Sequence, residues 1–328
     1  MKSTLTVPRR TLLLAVLAAA CAVPIGAAAA DLPSGPLRIV VPFAPGGGVD
    51  TAARLIARQL RANTGLVVIV ENRTGGQGTV GGRAVQTATA DGSTLLFSAS
   101  THVLTRHVLA SPPYDPVQDF APVARVAEVP LLMVIAPQLP QRSIREVMDA
   151  IRQQPDKWTA AIPALGSPSH IATLMLAQQG GLNLTTVAYR GTAPALTDVA
   201  GGHTQILIDS IIALLPMARE GKVRPIVTTS ARRSAIAPDV PTAAETGFPK
   251  LVQSTWYGVW APKALPEARA VALNRAFNAA VADLSRAGAL APLGIEPVSE
   301  TIDQFRRFIE ADVTRSAELL RAAGFKPE

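Results

Sequence analysis

Apolar residues in this chain fall in short unbroken runs, separated by stretches in which they recur every three or four positions. Residues 36–43 (PLRIVVPF) read as a strand buried on both faces, and residues 50–64 (DTAARLIARQLRANT) as an amphipathic helix. The alternation continues with a strand at 66–70, a helix near 82–89 and a strand at 94–98. It then runs through 131–136, 144–153, 158–161 and 169–179. After Gly181 the pattern predicts strands at 186–189, 205–209 and 223–229, with helices at 193–200 and 212–220 between them. A Pro-rich loop over 230–249 precedes two last helices, 266–282 and 302–323. Such alternation predicts an α/β fold, a parallel sheet with helices on both faces.

Two segments depart from it: 122–136 (PVARVAEVPLLMVIA) and 253–262 (QSTWYGVWAP) are longer β-like stretches rich in Val, Trp and Tyr. They read as crossings between two halves. The expected lobes are residues 31–128 plus 255–328, and residues 129–254. Two lobes joined by two strands can hinge.

The first thirty residues follow another pattern. Lys2, Arg9 and Arg10 precede an apolar run from Leu12 to Ala22, then the small residues Ala27 to Ala30. Basic, apolar and small in that order is a secretory signal, with cleavage expected after Ala30. The uninterrupted apolar stretch is shorter than the roughly 20 residues that span a bilayer. Arg9-Arg10 also fits a twin-arginine signal, and Cys21 a lipid-attachment cysteine. Cys21 is the chain's single cysteine, so its loss leaves no thiol for disulfides, thiolate catalysis or cysteine-ligated metal. The formal charge of +7 includes Lys2, Arg9 and Arg10, whose removal leaves about +4. The arginines are scattered among acids, which argues against nucleic acid and leaves small anions as suitable ligands.

Candidate chemistry lies in loops at strand ends. Residues 42–50 (PFAPGGGVD) join a strand to a helix, where free amides favour an anion; the alternative is a tight turn with Asp50 as N-cap. Gly76, Gly78 and Gly81 have the spacing of a dinucleotide turn, but sit beyond a polar turn in an exported chain, which favours an anion-facing amide nest. Gly166-Ser167-Pro168-Ser169-His170 reads as a binding loop, with a Ser167–His170 hydrolase pair as the alternative, although the flanks of a nucleophile elbow are missing. Arg190 could pair with a carboxylate or be a solvated charge, and Asp209 could meet a ligand or cap a helix. Trp256, Tyr257 and Trp260 read as core or hinge packing. The four histidines lack metal-ligand spacing, and neither metal nor cofactor is expected.

Taken in order, the motifs Val40-Val41-Pro42-Phe43, Val70-Glu71-Asn72-Arg73, Asp119-Phe120-Ala121-Pro122-Val123, Tyr189-Arg190-Gly191 and Pro238-Asp239-Val240-Pro241-Thr242 resemble the Bug or TctC-type substrate-binding proteins of tripartite tricarboxylate transporters. The resemblance covers essentially all of the chain beyond the signal. It implies a type II periplasmic binding protein fold, two α/β lobes joined by two hinge strands. A monomer, it would capture a small carboxylate between its lobes for the membrane subunits of a transporter, without catalysis. It points to Phe43, Pro45, Gly46, Gly47 and Asp50, to Gly75, Gly76 and Gly78, and to Ser98 and Thr101. From the second lobe it points to Ser167, His170, Tyr189, Gly191 and Asp209. Gln77, where the family usually has Gly, adds an amide at the ligand loop. Alternatives from other classes are a receptor that feeds a signalling partner and an exported serine hydrolase.

Overall fold

The computed structural model describes residues 32–328, so the export signal and Cys21 lie outside the described residues. The chain opens with β1 (Leu37–Val41), α1 (Gly48–Thr64), β2 (Val68–Asn72), α2 (Thr79–Gln86), β3 (Thr94–Ala99) and the single turn α3 (Thr105–Val108). β1 is apolar throughout because both faces are covered: Leu37, Ile39 and Val41 share a cluster with Ile56 and Leu60 of α1, and Val40 one with Val85 of α2. α1 begins at Gly48, earlier than its periodicity predicts, and stops where Gly65 turns left-handed (φ 73°) and donates its amide to the Arg61 carbonyl.

β4 (Phe120–Ile135) then leaves this lobe. The second lobe follows as α4 (Ile144–Gln153), β5 (Thr159–Ile162), α5 (Pro168–Gly180), β6 (Thr185–Ala188), α6 (Thr192–Gly201), β7 (Ile206–Ser210), α7 (Ile211–Arg219) and β8 (Arg224–Thr228). The chain returns on β9 (Ser254–Pro262) and ends with α8 (Glu267–Arg286), β10 (Glu296–Pro297) and α9 (Ile302–Ala322).

The strands lie in the order β2-β1-β3-β9-β4-β7-β5-β6, with β10 and β8 also on β4. Pairing is parallel among β1, β2 and β3 and among β5, β6 and β7. Every pair made by β4 or β9 is antiparallel. The parallel sheet expected from sequence is therefore corrected to a mixed one. The cause is the double crossing: one strand leaves while its neighbour returns, so the two run in opposite directions side by side. β4 pairs with β9 from Phe120 to Pro130 and with β7 from Leu131 to Ile135, and so serves the cores of both lobes.

Aromatic side chains pack beneath this ribbon. Trp256, Trp260, Phe120 and Phe305 share one buried cluster, and the Trp256 indole N–H donates to Asp312 Oδ2 at 3.1 Å. The far end of α9 reaches the second lobe, where Leu320 packs with Ile171 and Leu165. Phe325 stands edge-on to His170, with ring centroids 5.1 Å apart. Among the described residues no helix is long and apolar enough to cross a membrane.

Gly258 sits where the ribbon meets these rings: a Cβ there would lie 2.6 Å from Phe305 Cζ and 2.7 Å from Trp260 Cη2. Gly258→Ala is expected to cost about 1–3 kcal/mol through overpacking, read as a lowered urea midpoint at unchanged slope.

Candidate functional site

Loops from both lobes meet at the carboxyl ends of β1, β3, β5, β6 and β7, the usual place for a ligand in open α/β sheets. Direct hydrogen bonds join the lobes there, one of them from the Tyr257 hydroxyl to Ser210 Oγ at 3.1 Å. Ala44 N–H donates to the Arg190 carbonyl and Leu165 N–H to Gln77 Oε1, each at 3.0 Å. Gly191, with φ 128°, makes the approach possible, since a Cβ on it would lie 2.9 Å from Ala44 N. Gly48 is as tightly held: its Cβ would fall 2.5 Å from the Tyr257 hydroxyl and 2.6 Å from Ser210 Oγ.

Two pockets lie at the meeting, and a small chamber lies beside them within the first lobe. A narrow pocket of about 30 Å³ is lined by Phe43, Gly47, Gly48, Asp50, Thr101, Ser167, Thr192, Asp209, Ser210 and Tyr257, among others. A volume near 30 Å³ is about that of one water molecule. A second pocket of about 190 Å³ lies under the glycine loop, between Gly75, Gly76, Gln77 and Gly78 on one side and Pro163, Tyr189 and Arg190 on the other. The chamber beneath holds Ser98 and His102 with Phe43, Gln77 and Tyr114. A groove of about 850 Å³ between α8, α9 and the loop before β4 is larger, but it is bordered by one lobe and by charges of both signs, including Lys263, Glu267, Arg275 and Asp303. Its size alone gives it no chemistry.

The electrostatics of the narrow pocket come from backbone. Helices α1, α6 and α7 start at Gly47, Gly191 and Ser210, and no side chain caps any of the three. Their first amides have no intrahelical acceptor and carry the positive end of the helix dipole, an arrangement suited to an anion. α5 differs, because Ser167 Oγ accepts the His170 amide.

Two acids stand beside these helix ends. Asp50 is not an N-cap: it lies in the first turn of α1, which Gly47 caps. Its carboxylate accepts from Gly46 N–H, Arg54 Nε and Asn72 Nδ2. Burial alone would raise its pKa, but bonds from Arg54, Gly46 and Asn72 outweigh that and hold it below the ordinary carboxylate value. Asp50 thus ties the β1–α1 loop to β2. Asp209 is buried and accepts the Thr192 hydroxyl at 2.6 Å. Burial pushes its pKa up to about 6, with only partial relief from Thr192 and the Ser210 amide.

The remaining candidates divide. Phe43, Gly47, Thr101 and Ser167 border the narrow pocket, Gly75, Gly76, Gln77, Gly78 and Tyr189 the second, and Ser98 the chamber. Pro45 and Gly46 are exposed, and the Gly46 amide is already spent on Asp50. Gly191 acts through contact between the lobes. His170 does not border any of the three spaces: it lies behind α5 against Phe325, and its Nδ1 accepts from Gly166 N–H at 3.0 Å. Ser167 Oγ is therefore bonded to the His170 backbone and not to its ring. Tyr189 donates its hydroxyl to Asp198 Oδ2 at 2.6 Å. Arg190 is exposed and has no ion-pair partner among the described residues. Gly48, Thr192 and Ser210 lie in strand-end loops that the sequence singled out but were not named as ligand residues, and Tyr257 was read as core or hinge packing. Tyr257 carried no signal beyond its aromatic neighbours, whereas Gly48, Thr192 and Ser210 each follow a strand end at a helix start.

The TctC family, described as the tripartite tricarboxylate transporter family receptor, matches residues 52–325. The chain belongs to this family. Solved structures agree with its fold. The periplasmic binding protein BugD is 31% identical with a TM-score of 0.86, covering 90% of this chain and 100% of its own. R. palustris Rpa4515, solved with adipate, is 32% identical with a TM-score of 0.87, covering 90% and 99%. MatC from Rhodopseudomonas palustris, solved with malate, is 31% identical with a TM-score of 0.83, covering 88% and 100%. This TctC-family chain accordingly has the type II periplasmic binding fold, two α/β lobes joined by two strands.

In this TctC-family chain the buried Asp209 has a pH signature. Its folded pKa of about 6 exceeds the ordinary value of 3.8, so the folded state holds the proton more tightly. Stability from this group is present below pH 4, falls as pH rises towards 6 and is level above. Asp50 has the opposite sign, with stability lost as acid protonates it. Asp209→Asn keeps an acceptor for Thr192 and is expected to gain up to about 3 kcal/mol over the parent above pH 6. At pH 4 the two should converge, as read from urea midpoints between pH 4 and 7.

Proposed function

We propose that this protein is a periplasmic solute-binding protein that captures a small carboxylate between its lobes and delivers it to the membrane subunits of a tripartite tricarboxylate transporter. The observation that carries the reading is the convergence of three uncapped helix N-termini, from α1, α6 and α7, on one narrow pocket between the lobes. Free amides and hydroxyls can hold a carboxylate without a buried cation. The exposed Arg190 beside the second pocket suits a further carboxylate at the other end of the solute. Adipate in Rpa4515 and malate in MatC support a dicarboxylate or a related acid. The moving bodies would be residues 31–128 with 255–328, and residues 129–254, opening about the β4–β9 ribbon. Export would follow cleavage after Ala30. A binding role is favoured over hydrolysis because Ser167 Oγ and the His170 ring each have other partners.

A thermal-shift series with adipate, malate, citrate, glutamate and nicotinate tests this. Ligand at about 100 times its dissociation constant should stabilise by roughly 2.7 kcal/mol. A response to sugars or amines in place of every carboxylate would refute the assignment. Ester substrates should show no turnover that Ser167→Ala removes.

A further inference from the structure

We infer that Gln77 is a latch between the lobes, a side-chain contact that helps to hold the cleft shut over its solute. The inference rests on the binding role proposed above and adds to it a residue that sets how long solute is retained.

The backbone first shows that Gln77 is costly to place. Gly75, Gly76, Gln77 and Gly78 run through left-handed conformations, with φ of 125°, 54°, 55° and 94°. Among the described residues Gln77 is the sole non-glycine at positive φ. Glycine adopts such angles without strain and other residues do not. A glutamine amid three glycines therefore needs a compensating contact made by its side chain.

That contact is across the cleft. Gln77 Oε1 accepts the Leu165 amide at 3.0 Å, joining residues 88 apart in sequence. A backbone N–H can only donate, so the oxygen of the carboxamide must face Leu165, which settles the orientation of the amide group. Nε2 has no partner among the described residues, and Gln77 borders both the 190 Å³ pocket and the chamber of Ser98 and His102.

The acceptor is met by a loop with little slack. Gly166, next to Leu165, has φ 69°, and a Cβ on it would lie 2.9 Å from Val108 Cγ1 and 3.3 Å from Leu104 Cβ. Leu165 is itself buried with Val108 and Leu320. Val108, Leu104 and Leu320 belong to the first lobe, so the Leu165 loop of the second lobe is seated against the first, and Gln77 meets its amide there. Of the other direct links between the lobes, Ala44 N–H to the Arg190 carbonyl is backbone only, and the Tyr257 hydroxyl to Ser210 Oγ lies at the narrow pocket. Gln77 makes the side-chain bond beside the 190 Å³ pocket, where a substitution can tune it. A latch formed after the solute enters should act on its escape and leave its entry rate unchanged.

The test reads the latch with and without solute. In ligand-free protein labelled with ¹⁵N-leucine, the Leu165 amide should exchange with solvent roughly tenfold faster in Gln77→Gly and Gln77→Ala, as expected for one lost hydrogen bond. Gln77→Gly also relieves the backbone strain, so a fold defect cannot produce the effect. Gln77→Glu keeps the acceptor and should retain the parent exchange rate. With adipate as probe, Gln77→Gly should raise koff roughly tenfold with kon within about twofold. Unchanged Leu165 exchange in Gln77→Gly overturns the latch, and faster exchange with unchanged koff overturns its role in retention. If the parent protein binds none of the carboxylates, the ligand assignment fails, while the exchange measurement still decides the latch.

Discussion

The antiparallel pairing of β4 with β9 is the constraint on which the rest of the molecule depends. Both crossings between the lobes run side by side through Phe120–Pro130 and Ser254–Pro262. A paired ribbon resists stretching and shear because its hydrogen bonds lie across the strands, but it can twist and bend. Under the proposed function, relative movement of the lobes would be directed to bending at this ribbon. The aromatic rings under β9 and the contact of Leu320 with Ile171 pack the ribbon and α9 against both lobes.

What collects at that face is backbone more than charge. The narrow pocket has three helix starts and several hydroxyls, while Asp50, its most connected carboxylate, is committed to Gly46, Arg54 and Asn72. Backbone donors suit a site that must bind and then release. They are rigid, so little entropy is lost on binding, and neutral, so removing water from them costs less than stripping a buried ammonium.

Two buried ionisable groups show the other side of this economy. His102 sits among Tyr114, Phe120 and Trp260, where burial lowers its pKa to about 3 and keeps it neutral. Asp209 is held near the boundary between neutral and charged by the same effect. Neither has a cation within reach, in contrast to Arg125, whose guanidinium meets both Glu300 oxygens at 3.0 Å on the flank of the ribbon. Where the lobes meet, Asp50 is paired with Arg54 and Asp209 is not.

Much of this was legible in the amino-acid order. The strand over 36–43 and the helices over 144–153 and 302–323 could be read because burial on one or two faces imposes periods of 3.6 or of continuous apolarity, local properties that survive in sequence. The two crossings were visible as longer β-like runs, and the glycine loops as flexible turns before helices. The tertiary structure alone decided that the crossings pair with one another and so make the sheet mixed, since strand direction depends on where the chain returns. It alone turned His170 towards Phe325 and away from the cleft, and brought Tyr257 to Ser210. It also set Gln77 against Leu165, residues whose distance along the chain carries no trace of their contact. Periodicity reports which face of an element is covered. What covers it, and which loops face each other across a gap, follows from packing between distant segments.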